Sequence, residues 1–197
     1  MEWVIGWISR FLPLLVCLSL ARAEGQRGWT FHASFPSCYQ AELDASVCRR
    51  GKRSAHLRSL GSASAHTYAL YYQKIHAGAY RGQRVRLSGY LRTSEVSGWA
   101  GLWMRVDPKD GGPSLAFENM LRQPVLGSSD WKQYSIEVDV PEEAKEIDLG
   151  TVLSGRGEVW FDDLELSSVA VLVPGAAELR RVRHLPGKPY NLDFEAE

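Results

Sequence analysis

Apolar and polar residues alternate in short runs along most of the chain. Between residues 84 and 93, Val85, Leu87 and Leu91 alternate with arginine, serine and tyrosine, and residues 99–107 repeat the pattern. Period-two alternation is typical of β-strands that bury one face, and helical periodicity is almost absent. Six further runs end at Gly, Pro, Asp or Ser: residues 54–59, 68–77, 114–120, 131–140, 147–153 and 158–167.

About eight short strands without intervening helices favour one fold class. They predict an all-β fold, a two-sheet antiparallel β-sandwich of jelly-roll type. The segment 107–113 contains two prolines, two glycines and two aspartates, and it predicts the reversal between two antiparallel neighbours.

The N-terminus has the features of a secretory leader. Arg10 precedes an apolar run at residues 11–20, and Ala21-Arg22-Ala23 fits the small-x-small cleavage rule. The run is shorter than the roughly 20 residues of a membrane span. We therefore predict a signal peptide at residues 1–23, no stable membrane insertion after its cleavage, and a secreted, periplasmic or cell-envelope protein.

Two further segments follow the leader. Residues 24–169 hold the alternating runs and are predicted to form the β-sandwich domain. The composition changes after Val169, where charged residues and three prolines accumulate. Residues 170–197 are predicted to be a linker and the truncated start of a following domain.

Charge and cysteine content narrow the functional classes. The 23 basic and 23 acidic side chains cancel, which argues against a nucleic-acid partner. Removal of the leader leaves Cys38 and Cys48 in a compartment that permits oxidation. They are predicted to form a disulfide, with two free thiols as the alternative.

Several segments carry a resemblance to a known family. They are residues 51–59 (GKRSAHLRS), 80–93 (YRGQRVRLSGYLRT), 98–107 (GWAGLWMRVD) and 159–164 (VWFDDL). The chain resembles bacterial carbohydrate-binding modules of the galactose-binding-like jelly-roll group, in a subgroup that accompanies peptidases, esterase-like hydrolases or regulators. In such modules a segment like residues 191–195 (NLDFE) opens a domain, and no such segment precedes Gly28.

The resemblance implies a structural calcium ion, and the alternation predicts a ligand face. Asp162 is the candidate calcium ligand, although one acidic pair alone does not complete a calcium site. Sugar recognition combines an aromatic surface with charged or amide groups. Tyr90 and Arg92 lie on one face of their predicted strand, and Trp103 and Arg105 lie on the corresponding face of the next. These four are the expected ligand-binding residues and could form a single patch, with Gln73 and Glu118 as neighbours. The alternative is that these aromatics cover the sheet while the arginine stems pack past them.

No catalytic motif occurs in the chain. Nucleophile elbows, zinc-binding helices, phosphate loops and dinucleotide fingerprints are absent from the sequence. We therefore expect a non-catalytic module that binds carbohydrate weakly. The alternative is a protein-interaction or regulatory sandwich that partners a peptidase or hydrolase. A jelly-roll hydrolase that pairs Glu118 with Asp107 or Glu158 is less favoured.

Overall fold

The computed structural model describes residues 27–171 and 188–195. The predicted signal peptide and residues 172–187 of the predicted linker lie outside this part of the chain. In it, two three-residue 3-10 helices occur at Pro36–Cys38 and Ala77–Ala79, and no helix is long and apolar enough to cross a membrane. Nine strands make up the fold: β1 Trp29–Ala33, β2 Tyr39–Asp44, β3 Ser54–Ser59, β4 Tyr68–His76, β5 Gln83–Pro108, β6 Ala116–Glu118, β7 Val125–Val140, β8 Ala144–Ser154 and β9 Glu158–Val171.

The strands form two layers that share β5. The first half of β5 pairs with β7 and β9, and β9 continues through β3 to β2; we call this layer the back sheet. The second half of β5 pairs with β6 and β8, and β8 continues through β4 to β1; we call it the front sheet. All of these pairings are antiparallel. The predicted two-sheet antiparallel β-sandwich is confirmed.

β5 crosses from one sheet to the other at an irregular corner. Its pairing with β7 shifts register three times between Leu91 and Ala100, and Glu95 adopts a φ of 51°. The inward-facing residues change from odd to even numbers across this corner, from Leu87 in the back sheet to Leu102 in the front sheet. Bulged strands that switch sheets form such corners in sandwiches. The two strands predicted at residues 84–93 and 99–107 are therefore one bent strand.

The C-terminal segment 188–195 packs against the sandwich. Phe194 is fully buried, with its ring 4.9 Å from that of Trp29 and 5.3 Å from that of Phe161. The backbone N–H of Leu164 donates to the carbonyl of Leu192 at 3.2 Å. Burial of a phenylalanine contributes about 2 kcal/mol. This segment therefore completes the core at the start of β1, and its role in a following domain stays a prediction.

A carboxylate anchors the end of this segment. Glu195 Oε1 accepts hydrogen bonds from the backbone N–H of Lys52 at 2.6 Å and of Arg53 at 2.9 Å. Gly51, at φ 66°, leaves room for this contact, because a Cβ there would lie 2.4 Å from Glu195 Oε1. The glycine thus serves both the turn before β3 and the approach of the segment.

The predicted disulfide is wrong for this structure. Cys38 is buried and Cys48 half-buried, and both are free thiols. They lie beyond opposite ends of β2, whose six extended residues span roughly 20 Å. A disulfide needs Cα atoms within about 7 Å of each other. Cys38 instead accepts a hydrogen bond from the Ser62 hydroxyl at 3.3 Å.

Candidate functional site

The four predicted ligand residues separate into two pairs. Tyr90 and Arg92 lie on the outer face of the back sheet, because Leu87 and Leu91 of the same half-strand face the core. Trp103 and Arg105 lie on the outer face of the front sheet, next to inward-facing Leu102, Met104 and Val106. The outer faces of a sandwich point in opposite directions. The structure therefore does not bring the two pairs into one patch.

Gln73 and Glu118 lie outside both faces. Gln73 is 1% exposed and points inward, where its side chain exchanges hydrogen bonds with the backbone of Tyr190. Glu118 Oε1 accepts from the backbone N–H of Asn119 at 3.0 Å and of Met120 at 2.9 Å. Both side chains are therefore engaged by the backbone of neighbouring segments.

Aromatic residues of the back face are held by neighbouring polar groups. The Trp160 ring stacks on the His56 ring at 4.3 Å and an interplanar angle of 4°, and its Nε1 donates to Asp44 Oδ2 at 2.8 Å. His56 Nε2 lies 2.8 Å from Glu158 Oε2. Burial alone would raise the pKa of Asp44, but hydrogen bonds from Ser46, Trp160 and Val47 outweigh it and lower this pKa to about 2. This cluster forms a closed network.

Tyr90 is covered as well. The Arg49 guanidinium lies 3.3 Å from the centre of the Tyr90 ring and is also paired with Asp163. Arg92 lies 5.9 Å from the Trp160 ring and borders an open groove of ≈ 360 Å³ whose other wall includes Asp130. The back face thus offers a small polar groove that is lined by the stacked Trp160 ring, while Arg49 covers Tyr90.

The surroundings of Asp162 suit an amide-bound carboxylate. Its two oxygens accept from the backbone N–H groups of Asp163 at 2.8 Å, Arg49 at 3.1 Å and Arg50 at 3.3 Å. Burial raises its pKa to about 6, against the lowering effect of these amides. Calcium takes six to eight oxygen ligands. Amide donors and an arginine beside Asp162 do not fit that ion, and the described residues include no cluster of three metal-ligating side chains.

An aromatic row crosses the outer face of the front sheet. The pairing register places Tyr72 of β4, Gly150 of β8 and Trp103 of β5 side by side. Because Gly150 has no side chain, the rings from the flanking strands meet above it, with centroids 5.5 Å apart. Phe117 of β6 extends the row, 6.4 Å from Trp103. Sequence reasoning missed Tyr72 and Phe117, although Tyr72 lies on the polar phase of an alternating run.

A row of charges runs beside these rings. Lys74 Nζ lies 2.8 Å from Glu146 Oε2 and 3.4 Å from Asp148 Oδ1. Arg105 Nη2 lies 3.3 Å from Asp148 Oδ2 and 2.8 Å from Asp107 Oδ2. Burial raises the pKa of Asp148, and the positive charges of Lys74 and Arg105 partly offset this rise. These ion pairs hold the charged side chains in fixed positions, so that hydrogen-bond donors and acceptors lie beside the aromatic row.

An open groove continues from the charged row. It has a volume of ≈ 400 Å³ and its wall begins at Arg105 and Asp107. The turn after β5 contributes Lys109, Gly111, Gly112 and Ser114, and β8 contributes Lys145 and Glu146. The front face therefore joins an aromatic surface to a polar groove, which is the composition typical of small-ligand sites.

Comparisons with known proteins identify one related sequence. The chain is 36% identical over 171 residues to the uncharacterized HTH-type transcriptional regulator YbfP of Bacillus subtilis (strain 168). The match covers 87% of this chain but 57% of the regulator, so the chain spans little more than half of that protein. No protein-family model matches the chain.

Comparisons with solved structures establish the fold. The enzymatically active domain of bacteriophage CBA120 tailspike protein 4 matches with a TM-score of 0.55 and 14% identity, over 77% of this chain and 21% of that one. The CBM22-1 xylan-binding domain from Paenibacillus barcinonensis Xyn10C matches with a TM-score of 0.50 and 17% identity, over 73% of this chain and 87% of that domain. The chain therefore has a jelly-roll fold like that of carbohydrate-binding modules, as predicted.

Proposed function

We propose that this protein is a non-catalytic module that binds carbohydrate through the outer face of its front sheet. The observation that carries the proposal is the row of Tyr72, Trp103 and Phe117 beside fixed charged groups. Apolar faces of sugar rings stack on aromatic rings, while hydroxyl groups exchange hydrogen bonds with charged side chains. The front face presents both kinds of group side by side.

The three aromatic residues have different roles in this proposal. Phe117 is 51% exposed and offers an open ring to a ligand. Trp103 is only 5% exposed, since Tyr72 and Phe117 pack against its two sides. We therefore assign ligand stacking to Phe117 and to the half-buried Tyr72. Trp103 supports both rings from below and reports their surroundings through its fluorescence.

Arg105 provides the main polar contact in the proposed site. Its guanidinium is fixed by Asp107 and Asp148 but stays 40% exposed, and it lies opposite Phe117 in the pairing register. A guanidinium held in place loses little freedom when it binds a hydroxyl group. An open sheet face buries little ligand area, so we expect weak affinity.

The comparisons support a recognition role. A xylan-binding domain shares the fold, and a shared fold is compatible with many functions. The bacterial relative is named as a transcriptional regulator, which supports a sensing module within a larger protein rather than a partner of a peptidase or hydrolase. Secretion or envelope location, the leader and the domain limits at residues 23 and 169 remain predictions.

Fluorescence titration with neutral oligosaccharides tests the proposal. The wild-type chain should show saturable quenching or enhancement of tryptophan emission by at least one xylo-, galacto- or gluco-oligosaccharide. Phe117→Ala should weaken that binding at least tenfold. Phe35→Ala is the matched control, because Phe35 is 58% exposed but lies between β1 and β2. Equal losses in both variants, or a folded protein that binds no sugar, would refute the proposal.

A protein partner is the second candidate. Phe117, Leu121 and Leu126 are each more than half exposed, on β6, the loop after it and the start of β7. Exposed apolar side chains of this kind mark many protein interfaces. If no glycan binds, we expect Phe117→Ala to weaken association with a protein partner, measured with the purified pair.

A further inference from the structure

The lining of the groove at the end of the front face contains more basic than acidic side chains. Arg105, Lys109 and Lys145 line it, against the two carboxylates of Asp107 and Glu146. Both carboxylates are already engaged: Asp107 pairs with Arg105 at 2.8 Å, and Glu146 pairs with Lys145 at 3.1 Å as well as with a lysine of β4. Because Arg105 and Lys145 are the partners that neutralise these two carboxylates, the lining keeps one net positive charge.

Lys109 supplies the uncompensated charge. It lies in the exposed turn after β5 and has no ion pair or hydrogen bond with any described residue. Burial lowers the pKa of nearby His76, and the charges of Arg81, Lys109 and Lys145 lower it further, with Glu146 opposing them. These effects indicate a positive local potential at this end of the sheet, which attracts anions.

Arg105 connects the groove to the aromatic row. Arg105 lies at the edge of the groove, and Phe117 lies opposite it on the neighbouring strand. A sugar ring stacked on Phe117 would therefore place its neighbour along the chain, or its own exocyclic group, over the groove. A ligand that matches both the aromatic row and the groove therefore has an apolar ring face with a negative charge close to it.

We propose that the carbohydrate bound by the front face is acidic, with a uronic acid carboxylate held in the groove by Arg105, Lys109 and Lys145. The inference rests on the proposed carbohydrate-binding function and names its ligand class. Nε and Nη2 of Arg105 already donate to Asp107 and Asp148, which leaves Nη1 to donate to a ligand carboxylate. The two ammonium groups add charge without fixed geometry. The Gly111-Gly112 turn leaves this side of the groove open to an extended chain.

A pair of matched ligands tests the inference in the full-length protein. The first ligand is an oligogalacturonate, and the second is the same oligomer after reduction of its carboxylates to primary alcohols. We expect calorimetric titration to show at least tenfold tighter binding of the acidic form. The preference should shrink as salt is raised, since screening weakens charge pairing at an open site.

Charge-removing variants localise the preference. Lys109→Gln and Lys145→Gln should each reduce the preference for the acidic oligomer several-fold, because each should weaken binding of the acidic oligomer far more than binding of the reduced one. Lys132→Gln is the control, because Lys132 is exposed on β7 of the back sheet and should leave the preference intact. Equal affinity for both oligomers overturns the acidic-ligand inference but leaves carbohydrate binding standing. Binding of neither oligomer, nor of any neutral glycan, overturns the proposed function itself.

Discussion

The two outer faces of the sandwich contain the same kinds of residue and use them differently. Each face has tryptophan, tyrosine and arginine on neighbouring positions of β5 or the strands beside it. On the back face, Arg49 covers Tyr90, and Trp160 is sealed between His56 and Asp44. On the front face, Phe117 stays exposed and the charged row opens into a groove. Residue type alone therefore does not distinguish a binding face from a structural one.

The largest expected effect is a loss of stability when Trp160 on the back face is substituted. Trp160→Ala removes the stack on His56 and the hydrogen bond to Asp44, and should lower the free energy of unfolding by about 3 kcal/mol. Sugar affinity of the remaining folded protein should not change. Urea denaturation and fluorescence titration measure the two quantities. A Trp160→Ala protein of wild-type stability would show that the back face is not a closed network.

Asp44 should make the stability of this network depend on pH. Because its folded pKa lies near 2 and its unfolded value near 4, it adds up to about 2 kcal/mol above pH 4. This contribution is lost as the pH falls from about 4 to about 2. The stability difference between wild type and Asp44→Asn should shrink across that window in urea titrations. The exposed Asp110→Asn control should show no such convergence, and a constant gap for Asp44→Asn would contradict the assignment.

Substitution of Phe117 on the front face should have the opposite effect to substitution of Trp160: it should lower glycan affinity and leave stability almost unchanged. Phe117→Ala removes an exposed ring, so the free energy of unfolding should change by less than about 0.5 kcal/mol. Its glycan affinity should fall about tenfold, which corresponds to about 1.4 kcal/mol. A large stability loss would mean that Phe117 is held in the fold more firmly than its exposure indicates.

Arg92 gives the smallest expected effect. Arg92→Ala removes a partly exposed cation–π contact with Trp160, worth about 0.5 kcal/mol. We expect less than a twofold change in glycan affinity in the same titration. A tenfold loss would restore Tyr90 and Arg92 as ligand residues and move the binding site to the groove on the back face.

Alternation predicted the strands well where they are regular. The run at residues 54–59 coincides with β3, and the runs in the second half of the chain each contain a strand or part of one. The corner in β5 was not predicted, because the mainly polar segment 94–98 has the composition of a loop, whereas the structure continues the strand through it with three register shifts near Glu95. β1 and β2 were overlooked although Trp29, Phe31 and Ala33 alternate with polar residues.

The site was harder to predict than the fold for a topological reason. Tyr72 and Trp103 are 31 positions apart and lie on strands that never pair with each other. β8 lies between them, and Gly150 removes the side chain that would separate the rings. Parity within one strand identifies the outward residues, but the order of strands decides which of them meet. Tyr90 and Trp103 had the right parity and belong to opposite sheets.

The position of the C-terminal segment beside β1 suggests a circular permutation of the chain. Phe194 packs beside Trp29, so the last described residues lie next to the first strand. A circular permutant that starts at Lys188, runs to Glu195 and continues through a short glycine-serine bridge into Arg27 would keep every contact of the segment. The permuted order would place NLDFE ahead of β1, the position that the resemblance to carbohydrate-binding modules predicts for an opening segment. We therefore expect the fold to accept these eight residues from either end of the polypeptide.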